Sequence, residues 1–134
     1  MAQNSENMRY AKSHEWARLE GETIVVGISD YAQESLGDIV YVELPEVDEE
    51  YDQGEAFGVV ESVKATSDIY APVGGTVLEV NEALGDDPAV VNQDPYGEGW
   101  IVRFQMHDPT QYEGLLDEAA YDEHVQEEKA KGGH

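Results

Sequence analysis

Short apolar runs, each broken by glycine, proline or clustered acids, set the rhythm of this chain. Residues 14–20 and 23–28 are rich in β-formers and flank Gly21-Glu22, which predicts a hairpin with Trp16 as its largest apolar anchor. Ser29-Asp30 supplies an N-cap for a helix of about two turns through Leu36, and Gly37 ends it. Residues 38–44 read as the next strand, stopped by Pro45 and by an acidic stretch, 46–52, expected to be a solvated, mobile loop. β-Formers on both sides of Lys64, from Val59 to Val63 and from Thr66 to Tyr70, predict two strands that meet there, so that the lysine projects from a turn. Residues 75–80 read as a strand although Val77 and Glu79 do not alternate cleanly with Leu78 and Val80. Residues 81–99 read as loop with a helical turn, and 100–106 as the last strong strand. From Thr110 the pattern turns helical: Leu115, Leu116, Ala119, Ala120, Tyr121 and Val125 fall roughly three or four apart, and no glycine or proline interrupts Leu115 to Lys131.

Several short strands with regular turn signals, followed by a terminal helix, predict a mainly β sandwich or small barrel. The length of 134 residues fits one domain, placed at 10–131, behind a polar N-terminal tail, 1–9, expected to be disordered. Lys plus Arg number 7 against 30 Asp plus Glu, a formal charge of −23, which repels nucleic acid and anionic membranes. Such a surface suits a halophilic prokaryote, because molar salt shortens the Debye length to about 3 Å and screens the repulsion. No apolar run approaches the ~20 residues of a membrane span and no secretory signal is evident, so a soluble cytoplasmic protein is expected. Cysteine is absent, which leaves neither disulfides nor thiolate metal sites. The four histidines, His14, His107, His124 and His134, show no metal-ligand spacing, and no metal is expected.

Charge also singles out Lys64, the only lysine between Lys12 and Lys129. A nucleophilic lysine needs a desolvating pocket or a cationic neighbour, whereas Glu61 and Asp68 flank this one and favour its charged form. Two readings stay open on the residues alone: an ordinary surface lysine, or a lysine presented on a tight turn for another protein to modify.

The run Glu61-Ser62-Val63-Lys64-Ala65-Thr66-Ser67-Asp68-Ile69-Tyr70-Ala71-Pro72-Val73-Gly74-Gly75 closely resembles the lipoylation segment of the glycine cleavage system H protein family. Ser13-His14-Glu15-Trp16, Gly27-Ile28-Ser29-Asp30-Tyr31-Ala32-Gln33, Val42-Glu43-Leu44-Pro45 and Pro95-Tyr96-Gly97-Glu98-Gly99-Trp100 fit the same family, so the resemblance runs from about Tyr10 to the final helix. It implies a lipoyl-domain-like barrel-sandwich hybrid of two antiparallel sheets, with the lysine on a hairpin turn, a short internal helix and a C-terminal helix. It further implies a carrier rather than an enzyme, with (R)-lipoate in amide linkage on Lys64. The implied partners are a pyridoxal-phosphate glycine decarboxylase, a tetrahydrofolate-dependent aminomethyltransferase, dihydrolipoyl dehydrogenase, and a lipoate ligase or lipoyl transferase, visited by a monomeric shuttle.

Members of the family hold the loaded arm in a cleft that limits water. The positions here that match that cleft are Glu15, Ile28 and Asp68, and Glu61 matches a recognition position for the lipoylating enzyme. Glu15 or Asp68 would pair with the protonated amine of the cargo. Ser35 stands where relatives can have histidine. Other carriers fit less well: biotin carriers flank the lysine with methionines, where Val63 and Ala65 stand here, and 2-oxoacid dehydrogenase lipoyl domains usually have Asp before the lysine. A lipoate-relay protein, or an interaction protein with an unmodified Lys64, remains as an alternative.

Overall fold

The structure is a computed structural model and describes residues 8–132. Nine strands are present among these residues: β1 (Met8–Tyr10), β2 (Glu15–Glu20), β3 (Thr23–Ile28), β4 (Ile39–Glu43), β5 (Glu50–Tyr51), β6 (Ala56–Ser62), β7 (Thr66–Tyr70), β8 (Gly75–Val80) and β9 (Val102–Met106). Five helices accompany them: α1 (Asp30–Leu36), α2 (Ala83–Asp86), α3 (Val90–Gln93), α4 (Pro109–Glu113) and α5 (Glu118–Gly132). The strands form two antiparallel sheets, a large one in the order β1-β2-β3-β9-β8-β5 and a small one in the order β4-β6-β7. The expected class, two antiparallel sheets with a short internal helix and a terminal helix, is the one found.

Burial on both faces explains why β3 is almost continuously apolar. Ile24, Val26 and Ile28 point into the main core with Ile39, Val60 and Ile69 of the small sheet, while Val25 joins Trp16, Tyr121 and Val125 in a second cluster beneath α5. A strand covered on one face would alternate; one covered on both need not. Trp16 pairs across the ladder with Gly27, and a Cβ there would come within 2.7–2.8 Å of the indole ring, so the hairpin closes over Trp16 only with glycine opposite. The indole Nε1 donates to the Pro95 carbonyl at 2.9 Å.

The structure explains one irregularity of the sequence pattern and departs from the expectations at three further places. The imperfect alternation of residues 75–80 reflects a register shift between Val77 and Glu79 against β9, which leaves Leu78 exposed. The acidic loop is tied down: Asp48 N donates to Val77 O and Val77 N to Glu49 O, both at 2.8 Å, and Glu50 and Tyr51 pair with Thr76 and Gly75. The terminal helix begins at Glu118 because Leu116 exchanges backbone hydrogen bonds with Tyr10, at 2.8 and 2.9 Å, and the Asp117 carboxylate accepts from Ala120 N. Strand pairing starts at Met8, buried under α5, ahead of the expected boundary at Tyr10; the rest of the expected tail, 1–7, lies outside the described residues. Among the described residues no helix is long and apolar enough to cross a membrane.

Candidate functional site

The hairpin of β6 and β7 carries Lys64 at its tip. Ser62 builds the turn: its backbone N–H donates to Ala65 O at 2.7 Å, and its Oγ accepts from Lys64 N at 3.3 Å and Ala65 N at 3.0 Å. A serine folding back on its own backbone in this way holds a tight turn without help from the core. The tip is also anchored to the end of α1, because Val63 N donates to Asp38 O at 3.1 Å. Gly37 ends that helix at φ 85°, and the Lys64 stem lies over it: Cε would be 3.3 Å from a Cβ built there. Glycine therefore serves twice, as a left-handed helix end and as room for the lysine.

Asn92 of α3 locks this platform from below. Its amide nitrogen donates to Gln33 Oε1 and to Gly37 O, at 2.8 and 2.9 Å, and its oxygen accepts from Ile39 N at 2.9 Å. Nothing in the irregular stretch 81–99 singles out Asn92, because its partners belong to α1 and β4. Lys64 and Val63 are both exposed, and no ion pair among the described residues engages the Lys64 ammonium.

At the other end of β7 sits Glu15, which is only 2% exposed. Its Oε2 accepts from Tyr70 N at 2.9 Å and its Oε1 from the Ser13 hydroxyl, so one carboxylate links the start of β2 to the end of β7. Desolvation pushes its pKa from 4.5 up to about 7, against the opposing pull of the hydrogen bonds from Ser13 and Tyr70. Ile28 is its register partner on β3 and lies in the main core. Asp68 and Tyr70 are exposed on one face of β7 while Ile69 between them is buried; Glu61 is exposed on β6, opposite Thr66. A hollow of about 250 Å³ opens here, lined in part by Lys12, Ser13, Gln53, Tyr70 and Leu115.

The structure thus gathers Glu15 and Ile28 at one end of β7 and Lys64 with Glu61 at the other, with Asp68 between them. At about 3.3 Å per residue, Thr66 and Tyr70 stand roughly 13 Å apart along the strand. Ser35 is exposed on α1 and touches none of these groups through a hydrogen bond. Sequence reading missed the supporting positions Ser62, Asn92 and the Tyr70 amide. Only Ser62 left a local signal, a serine at the start of a turn.

The fold that presents Lys64 on a braced hairpin and buries Glu15 against the far end of β7 is shared with known proteins. The family model described as glycine cleavage H-protein covers residues 8–128. A glycine cleavage system H protein of Thermus thermophilus is 58% identical over 119 residues, spanning 89% of this chain and 93% of its own. One from Halorhodospira halophila is 53% identical over 129 residues, 96% of this chain and 99% of its own. The crystal structure of the Mycobacterium marinum protein of the same name superposes with a TM-score of 0.80 at 39% identity, over 90% of this chain and 97% of that one. With fold and sequence in agreement over more than nine-tenths of the length of each of these relatives, the chain belongs to the glycine cleavage system H protein family, the lipoyl carriers of that system.

Proposed function

We propose that Lys64 carries (R)-lipoate in amide linkage and that residues 10–131 act as a single non-catalytic, cytoplasmic shuttle of the glycine cleavage system. The observation that carries this reading is the Lys64 turn, a lysine whose stem has a cleared path over Gly37 and whose ammonium is unengaged by any ion pair among the described residues. Lipoate fits such a site, since amide formation removes a charge that no partner here needs. Once attached, it supplies the reversible sulfur chemistry that a cysteine-free chain lacks, and with it a place for the one-carbon amine of glycine.

The chain's own part is reach, orientation and shelter. Ser62, Gly37 and Asn92 fix the direction in which the Lys64 stem leaves the hairpin. Asp68 lies along the outer face of β7 between the lysine and the Glu15 end, where an ammonium cargo would meet a carboxylate. Glu15 reaches this end half-ionised near neutral pH, and an approaching cation would draw it to the charged form. Ile28 backs it with apolar surface that helps to keep water away. Glu61, exposed beside the turn, is available to a lipoate ligase or lipoyl transferase.

The test is intact mass after treatment with lipoate ligase, followed by reconstitution with the glycine decarboxylase, aminomethyltransferase and dihydrolipoyl dehydrogenase. A single lipoyl adduct, absent from Lys64→Arg, and glycine decarboxylation dependent on that adduct are expected. An adduct that persists in Lys64→Arg would move the site elsewhere, and an adduct without glycine turnover would favour the lipoate-relay reading.

A further inference from the structure

Away from the carrier turn, the fold unites side chains that the sequence holds 114 positions apart: His14, just before β2, and Glu128 of α5, with His124 one helical turn before it. His14 Nε2 is 2.8 Å from Glu128 Oε1, and His124 Nε2 is 3.0 Å from Glu128 Oε2. The two imidazoles stack at 5.5 Å between centroids, so both Nε2 atoms face one carboxylate, and one nitrogen or oxygen from each of the three residues lies within 4.8 Å of the others.

The outer nitrogen of His14 is fixed as well. Its Nδ1 lies 2.8 Å from the Tyr121 hydroxyl, which lies 2.6 Å from Ser29 Oγ, and Ser29 Oγ accepts from Ala32 N. Imidazoles that ligate metals are oriented in this manner, by a hydrogen bond at the nitrogen facing away from the ion. His14 also holds a φ of 81°, a left-handed backbone uncommon outside glycine, and such outliers persist where the surroundings enforce them. The surface charge of −23 would concentrate cations but supplies no nitrogen ligand.

We propose that His14 Nε2, His124 Nε2 and the Glu128 carboxylate form a three-ligand site for one divalent metal ion of the Zn²⁺ type, with water in the remaining position. Two imidazoles and a carboxylate suit Zn²⁺, Cu²⁺ or Ni²⁺, whereas Ca²⁺ and Mg²⁺ ask for six or more oxygens. Ligand atoms at about 2.0–2.1 Å from a tetrahedral ion stand roughly 3.3 Å apart, close to the 2.8 and 3.0 Å that separate the two Nε2 atoms from the carboxylate, and the ligand atoms of all three residues already lie within 4.8 Å of one another. With the ion on Nε2, His14 carries its proton on Nδ1 and donates it to the Tyr121 hydroxyl. His124 likewise carries its proton on its other nitrogen and releases the Lys12 carbonyl, now 3.0 Å away. The ion would clamp α5 onto the residue next to Glu15, which goes beyond the carrier function and does not depend on lipoylation.

Calorimetric titration of zinc chloride into the intact, unlipoylated chain at pH 7.5 tests this. One ion per chain is expected, with Mg²⁺ failing to compete, and ¹H–¹⁵N spectra showing both histidines pass to the Nδ1–H tautomer. Glu128→Gln, which keeps the size of the side chain, and His124→Ala should each weaken binding at least ~10-fold, while His107→Ala, at the end of β9, leaves it unchanged. In the wild type, free zinc at about 100 times Kd should raise Tm by roughly 10 °C, and Glu128→Gln should abolish the rise. The proposal fails if no single site is titrated, or if the site survives in both variants.

Discussion

The two ends of β7 treat a charged side chain in opposite ways. Lys64 stands in water on a turn whose shape comes from Ser62, Val63 and Asn92, and its own side chain carries almost none of the structure. Glu15 is buried, spends both oxygens on the fold, and has its pKa carried to about 7 by desolvation. A free charge on a rigid support is what a modifying enzyme and several docking enzymes need. Under the proposed function, a buried acid held near its titration point would respond to the arrival of a cationic cargo.

Substitutions at the two ends should therefore separate function from stability. Lys64→Arg should abolish lipoylation and glycine turnover altogether yet shift stability by no more than about 0.5 kcal/mol, read by urea unfolding. Glu15→Gln should do the reverse to stability. The folded-state pKa of Glu15 lies above its unfolded value of 4.5, so the folded chain holds the extra proton between pH 4.5 and about 7 and wild-type stability falls across that window. The glutamine variant lacks this loss, and its advantage over wild type should grow from pH 4.5 to 7, levelling above pH 7 at about 3 kcal/mol. A pH-independent difference between the two proteins would show that Glu15 titrates normally.

Smaller changes sharpen the contrast. Asn92→Ala leaves the Gly37 carbonyl and the Ile39 amide unpaired beneath the lysine, and should cost about 2 kcal/mol while slowing lipoylation more than Lys64 reach alone would suggest. Raising KCl from dilute buffer to about 1 M should raise the Tm of the whole acidic chain by screening its repulsion. The same salt should move the apparent pKa of Glu15, followed by NMR, by less than about half a pH unit, because burial rather than surface charge sets it.

Much of the fold is legible in local chemistry. The turn at Gly21-Glu22, the Ser29 cap, the Gly37 helix end and the strands on either side of Lys64 each follow from residues within a few positions, and all are found. The helical pattern from Thr110 spans two helices, α4 and α5, because apolar residues such as Leu115 and Leu116 look alike whether they continue a helix or, as here, one of them pairs with Tyr10. Val25 and Trp16 likewise give no sign that α5 covers them.

The sequence by itself determined where the chain turns, which charge stands alone and which family it resembles, since propensity, capping and motif act over neighbouring residues. Tertiary structure alone decided that Glu15 is desolvated, that Asn92 braces the lysine platform and that His14 meets His124 and Glu128. Those properties arise from contacts between residues far apart in the chain, and no local pattern of residues encodes the dielectric or the partners that a side chain finds once the two sheets and α5 have closed around it.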